Sequence, residues 1–93
     1  MKRPIVVRPA AQADISEAAR LLESSRPGLG RRFLVRLQQA LEQIETMPEL
    51  YGVVWQDVRA ARLNSFRHLV YDIVFPDRVE VLAVMHWSQN GAA

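Results

Sequence analysis

The sequence predicts an α+β fold in which two helices pack on one face of a mainly antiparallel four-stranded sheet, in the order β-α-α-β-β-β. Three observations predict it. Residues 66–87, FRHLVYDIVFPDRVEVLAVMHW, hold two β-branched and aromatic runs around Pro76-Asp77-Arg78, the pattern of an antiparallel hairpin. Upstream, two stretches of helical periodicity meet at Pro27. Finally, 93 residues at 49% hydrophobic and 24% charged, without repeats or a linker, make a single domain spanning residues 1–93.

In chain order, Pro4 to Arg8 reads as a short strand ended by Pro9. A helix follows over residues 10–24, with Ile15, Ala18, Ala19 and Leu22 at helical spacing and Asp14 and Glu17 in its early turns, where the helix dipole favours anions. Pro27 is placed to open a second helix, although Gly28 and Gly30 weaken its first turn. Phe33, Leu34, Leu37, Leu41, Ile44 and Met47 then line one face, and Pro48 ends the helix. A strand within Val53 to Leu63, a turn at Asn64-Ser65 and the hairpin complete the chain.

Strand register follows from placing Phe75 opposite Val79 across a loop of Pro76-Asp77-Arg78. The odd positions Leu69, Tyr71, Ile73, Val81, Ala83 and Met85 then form an apolar face expected beneath the helices. The even positions His68, Val70, Asp72, Val74, Glu80, Leu82, Val84 and His86 form a mixed face that no remaining segment can cover. An uncovered apolar strip among polar groups marks a partner surface, so Val70, Val74, Leu82 and Val84, with His68 and His86, are candidate partner-binding residues.

Composition excludes several classes of function. There is no cysteine, hence no disulfide framework and no thiolate chemistry, which suits a reducing cytoplasm. No segment has the apolar length of a signal peptide or a membrane span. The net charge of +2 is dispersed: residues 1–47 hold eight Lys/Arg against five acids, and residues 48–93 hold four against five. A nucleic-acid surface shows a denser basic stripe, so direct nucleic-acid binding is not expected. His68 and His86 face one another across the hairpin, but with only Asp72 and Glu80 nearby they do not make a metal set, and no cofactor motif is present.

The ordered landmarks resemble the ParE/RelE superfamily of toxins from type II toxin–antitoxin modules. They include Ala13-Asp14-Ile15, Arg26-Pro27-Gly28-Leu29-Gly30 with Phe33-Leu34, then Leu37, Leu41, Ile44, Pro48, Tyr51, Val58-Arg59, Leu63, Phe66, Val70-Tyr71 and Val81-Leu82-Ala83-Val84 with His86. The set spans residues 4–87 and is most similar to the ParE branch. That resemblance implies a RelE/ParE-like fold and a hetero-oligomer with a cognate ParD-like antitoxin whose C-terminal segment wraps across the toxin. It also implies DNA gyrase as the target, reached by binding rather than by active-site chemistry. Arg26, Arg31 and Arg32 at the start of the second helix, with Arg59, are the cations offered to an acidic antitoxin or to gyrase.

RelE-like relatives instead cut mRNA on the ribosome, and for that activity the candidate catalytic residues here are Arg59, His68 and His86. The arginine those enzymes carry before Leu69-Val70-Tyr71 is His68 in this chain, and of their two upstream lysines one position is Arg59 and the other Ala61. Their later arginine falls near Gln89. Against the ParE branch, Ser88–Ala93 lacks the Arg-Arg-x-Pro and terminal aromatic usual after the family histidine. A non-toxic family member retained as an antitoxin-binding component is the third reading.

Overall fold

The computed structural model describes residues 3–87, so expectations for Ser88–Ala93 lie outside the described residues. The elements are β1 (Ile5–Val7), α1 (Pro9–Ser25), α2 (Leu29–Thr46), a single 3-10 turn (Pro48–Leu50), β2 (Val53–Trp55), β3 (Val58–Arg62), β4 (His68–Val74) and β5 (Val79–His86). The sheet order is β1-β5-β4-β3-β2, antiparallel except for β1 beside β5. The α+β architecture is as expected, with five strands in place of four. Residues 53–62 fold back on themselves at Gln56, whose φ of 51° gives the tight reversal that splits one expected strand into two.

The helical hairpin is locked by one side chain. The Glu23 carboxylate on α1 accepts the backbone N–H groups of Gly28 (2.9 Å) and Gly30 (3.0 Å), two of the orphan donors at the start of α2. Gly28, at φ 88°, is the residue preceding α2, so Pro27 lies in the turn and not in the helix. Gly30 lets the helices approach closely: a Cβ there would stand 2.6 Å from the Ala19 carbonyl oxygen. Backbone cannot yield as a side chain can. Gly30→Ala is therefore expected to lose about 1–2 kcal/mol despite alanine's better helix propensity, read by urea denaturation. Unchanged stability would mean that the hairpin opens without cost.

The core consists of Phe33, Leu37, Ala40 and Ile44 from α2, Ala11 from α1, and Ala61, Leu63, Val70, Val79, Val81 and Val84 from the sheet side. On α2, Leu41 is half-buried, while Leu34 and Met47 of the expected apolar face are exposed.

The face assignment of the hairpin is corrected. His68, Val70 and Asp72 of β4 lie beneath the helices, and Val74 packs against the same core. Leu69, Tyr71 and Ile73 are half-buried on the opposite side, outside the core set. The expected pairing holds at the far end, where His68 faces His86 and Val70 faces Val84. It then slips: Tyr71 pairs Ala83 but Asp72 pairs Val81, leaving Leu82 as the extra residue of a β-bulge. The slip carries Val79 and Val81 to the same side as Val84, so β5 turns three valines inward without strict alternation. Their partners Val74, Asp72 and Val70 must share that side. Val70 and Val84, expected on the uncovered face, are core residues, and His68 with them is 8% exposed.

Candidate functional site: the open sheet face and the histidine pair

The helices cover one face of the sheet; the other carries the uncovered apolar strip, built from the complementary residues. Its rows can be read across the strands. Val58, Ile73, Glu80 and Val6 form one, Ala60, Tyr71 and Ala83 the next, and Arg62, Leu69 and Met85 the third. Leu82 adds its side chain at the bulge, and Val6 and Met85 are 45% and 56% exposed. At the first row the Glu80 carboxylate is held between Arg8 (2.7 Å) and Arg78 (2.6 Å), and those hydrogen bonds, Arg78's first, keep its pKa below the usual carboxylate value. That end of the face is electrically neutralised.

The two histidines meet at the opposite end of the sheet, on its helix-covered side, with ring centroids 5.2 Å apart. His86 as well as His68 therefore leaves the face on which it was expected. His68 lies edge-on to Phe33 at 4.9 Å, and its Nδ1 has no hydrogen-bond partner among the described residues. Burial, and then the charge His86 can carry, pushes its pKa below the ordinary imidazole value. Beside the pair, a groove of about 380 Å³ runs between α1 and the end of β5, lined by Asp14, Glu17, Leu21, Leu22, Val84 and His86 among others. Asp14 accepts the Val84 backbone N–H at 3.0 Å. It stands where β1, which pairs only as far as Val81, no longer supplies an acceptor.

Arg59 and the histidines do not form one site. Arg59 faces Asp72 across β3 and β4, and its guanidinium donates to the Tyr51 carbonyl at 2.5 Å. His68 is four residues further along β4, roughly 13 Å away at strand rise. Arg59 and His68 also share the helix-covered side. A phosphorane needs its acid, base and cation within hydrogen-bond reach of one atom, and these three groups do not converge. Arg26, Arg31 and Arg32 are exposed at the tip of the helical hairpin, remote in the chain from the sheet candidates. No group of three or more His, Asp or Glu side chains converges among the described residues.

Residues 5–91 match the family described as "ParE toxin of type II toxin-antitoxin system, parDE". The chain belongs to the ParE toxin family. Among solved structures it is similar to one from P. aeruginosa titled "Chromosomal ParDE TA system", at a TM-score of 0.70 and 13% identity, covering 94% of this chain and 98% of that one. At that identity the likeness speaks for the fold. No curated protein matches this chain in sequence. Family membership agrees with the element order. Among the described residues, no helix is long and apolar enough to cross a membrane.

Sequence reasoning placed His68 opposite His86, as the structure does, but assigned the uncovered apolar strip to the wrong side of the sheet. The signal it missed was the length of the β5 run. Val79-Glu80-Val81-Leu82-Ala83-Val84 puts valines at two odd positions and one even position, a break in alternation that one bulge reconciles.

Proposed function

We propose that this ParE-family protein inhibits DNA gyrase in the cytoplasm and is neutralised by a cognate ParD-like antitoxin that covers the open sheet face in a hetero-oligomer. The observation that carries the reading is the apolar strip of Leu69, Tyr71, Ile73, Leu82 and Met85, continuous across two strands and left uncovered by any described element. Arg26, Arg31 and Arg32 offer a second, cationic contact for the acidic antitoxin or for gyrase. Binding at such a surface needs no assembled catalytic groups, in keeping with the separation of Arg59 from His68 and His86.

The test combines two measurements. Purified protein is expected to block gyrase supercoiling or to trap cleaved DNA, while ribosomes programmed with mRNA remain uncut. Met85→Asp is expected to weaken the antitoxin complex by tenfold or more, with thermal stability close to wild type, because it places a charge in the exposed strip. Codon-positioned mRNA cleavage abolished by His68→Ala would replace the gyrase reading with the endonuclease one. Antitoxin binding with neither activity would identify a non-toxic binding component.

A further inference from the structure

At the Trp87 end of the open face, two guanidinium groups converge on one indole. The guanidinium carbons of Arg62 and Arg67 stand 5.9 and 5.8 Å from the centre of the Trp87 ring. The backbone sets this up. The Trp87 N–H donates to the Arg67 carbonyl at 2.6 Å, adding one pair beyond the end of the β4–β5 ladder. Trp87 is two residues past Met85 and Arg67 two before Leu69, so the two-residue period of a strand keeps them on the open side. Arg62 reaches the same corner from β3, opposite Leu69. Both arginines are exposed, and neither forms an ion pair with a described residue. Between them the β3–β4 loop opens a cleft of about 470 Å³, with Asn64 and Ser65 in its wall.

A guanidinium resting on a ring keeps its planar edge of N–H donors free. The ring restricts its motion, so less entropy is lost when the fork closes on a carboxylate. We propose that Arg62, Arg67 and Trp87 form a carboxylate anchor that receives an acidic residue of the antitoxin and fixes the direction in which its apolar segment lies across the sheet. The inference rests on the reading of this face as the antitoxin surface.

Charge complementarity selects the occupant. Glu80, at the far end of the face, is already neutralised by Arg8 and Arg78. The middle row, Ala60, Tyr71 and Ala83, carries no charge. The face therefore runs from a neutral end, through an apolar middle, to two unpaired cations. A protein segment with apolar side chains and an acid at one end fits it in one orientation. A nucleic-acid strand would need cations repeated along its path, and the middle of the face offers none.

The experiment is calorimetric titration with the acidic protein encoded beside the toxin gene, in parallel with a 20-nucleotide single-stranded RNA as probe (about one to five OB-fold site lengths). The expected result is that Arg62→Gln/Arg67→Gln weakens the protein complex about tenfold or more and flattens its salt dependence. Arg62→Lys/Arg67→Lys should recover only part of the loss, because an ammonium keeps the charge without the fork. Arg20→Gln, whose partner Glu17 lies on the same helix, should bind like wild type. Each single glutamine variant gives the same reading if the double variant fails to fold. Equal antitoxin affinity in a folded double variant would overturn the anchor and leave the antitoxin face standing. A wild-type protein that does not bind the antitoxin would overturn both. Loss confined to the RNA probe would make the corner a nucleic-acid contact and overturn the proposal.

Discussion

Phe33→Ala is expected to lose about 3–5 kcal/mol of stability, the largest effect of any single truncation in this chain. Phe33 is fully buried and joins both layers of the fold. From α2 it meets Phe66 edge-on at 5.6 Å and His68 at 4.9 Å, so its ring is shared by the helix, the β3–β4 loop and the start of β4. Removing it leaves a cavity whose lining cannot collapse. Ala61, Val70 and Val84 are held by strand pairing, and α2 is pinned by Glu23 at its first turn. The cavity would also admit water to His68 and raise its pKa toward the ordinary value. Urea denaturation measures the first effect and an NMR titration of the imidazole the second. Leu34→Ala, next in sequence but 44% exposed, should cost under about 1 kcal/mol. A small loss for Phe33→Ala would place the core elsewhere.

That contrast shows how far the sequence could be read. Helical spacing placed Phe33, Leu34, Leu37, Leu41, Ile44 and Met47 on one stripe, and the structure buries or half-buries all of them except Leu34 and Met47. The start of α1 and the end of α2 were legible because Pro9 and Pro48 favour the beginning of a helix and interrupt its interior, whereas the start of α2 was misread at Pro27. Strand faces were not. On β4 the apolar choice was Leu69, Tyr71 and Ile73, and the structure instead buries His68, Val70 and Asp72. An isolated strand is judged by which side is more apolar, but a paired strand must agree with its neighbours. Ala61 of β3 and the three inward valines of β5 fix the side of β4 between them. The same pairing turns the candidate partner surface over: Leu82 remains on it, while Val70, Val74 and Val84 leave it. The Arg62–Trp87–Arg67 corner was invisible for a related reason. Its three residues come from three segments, and only the sheet brings them together.

Asp72→Asn is expected to stabilise the protein at neutral and alkaline pH and to lose that advantage in acid. The Asp72 side chain is 1% exposed, and neither carboxylate oxygen accepts a hydrogen bond from a described residue. Burial pushes its pKa up from 3.8 to about 6, with Arg59 across the strand pair opposing the shift. A carboxyl that is harder to ionise in the folded chain binds more protons there than in the unfolded chain between these two values. The contribution of Asp72 to stability is therefore most favourable below about pH 4 and falls as pH rises to about 6. A shift of about two units corresponds to about 3 kcal/mol, all of it borne above the folded pKa. The amide is nearly isosteric and cannot ionise, so the variant should exceed wild type by up to about this amount at pH 8 and match it near pH 3.5. His68 acts with the opposite sign. Its depressed pKa makes the folded state lose protons first, so its contribution is present above the ordinary imidazole value and is lost as pH falls through the folded one. In wild type the two slopes oppose each other in mildly acid solution. In Asp72→Asn only the histidine slope remains, and stability should rise with pH as it climbs from the depressed folded pKa of His68 to the ordinary imidazole value. Denaturation midpoints from pH 3.5 to 8 measure both. If Asp72→Asn were instead less stable than wild type at pH 8, the carboxylate would be acting as a partner of Arg59 and not as an unpaired buried charge.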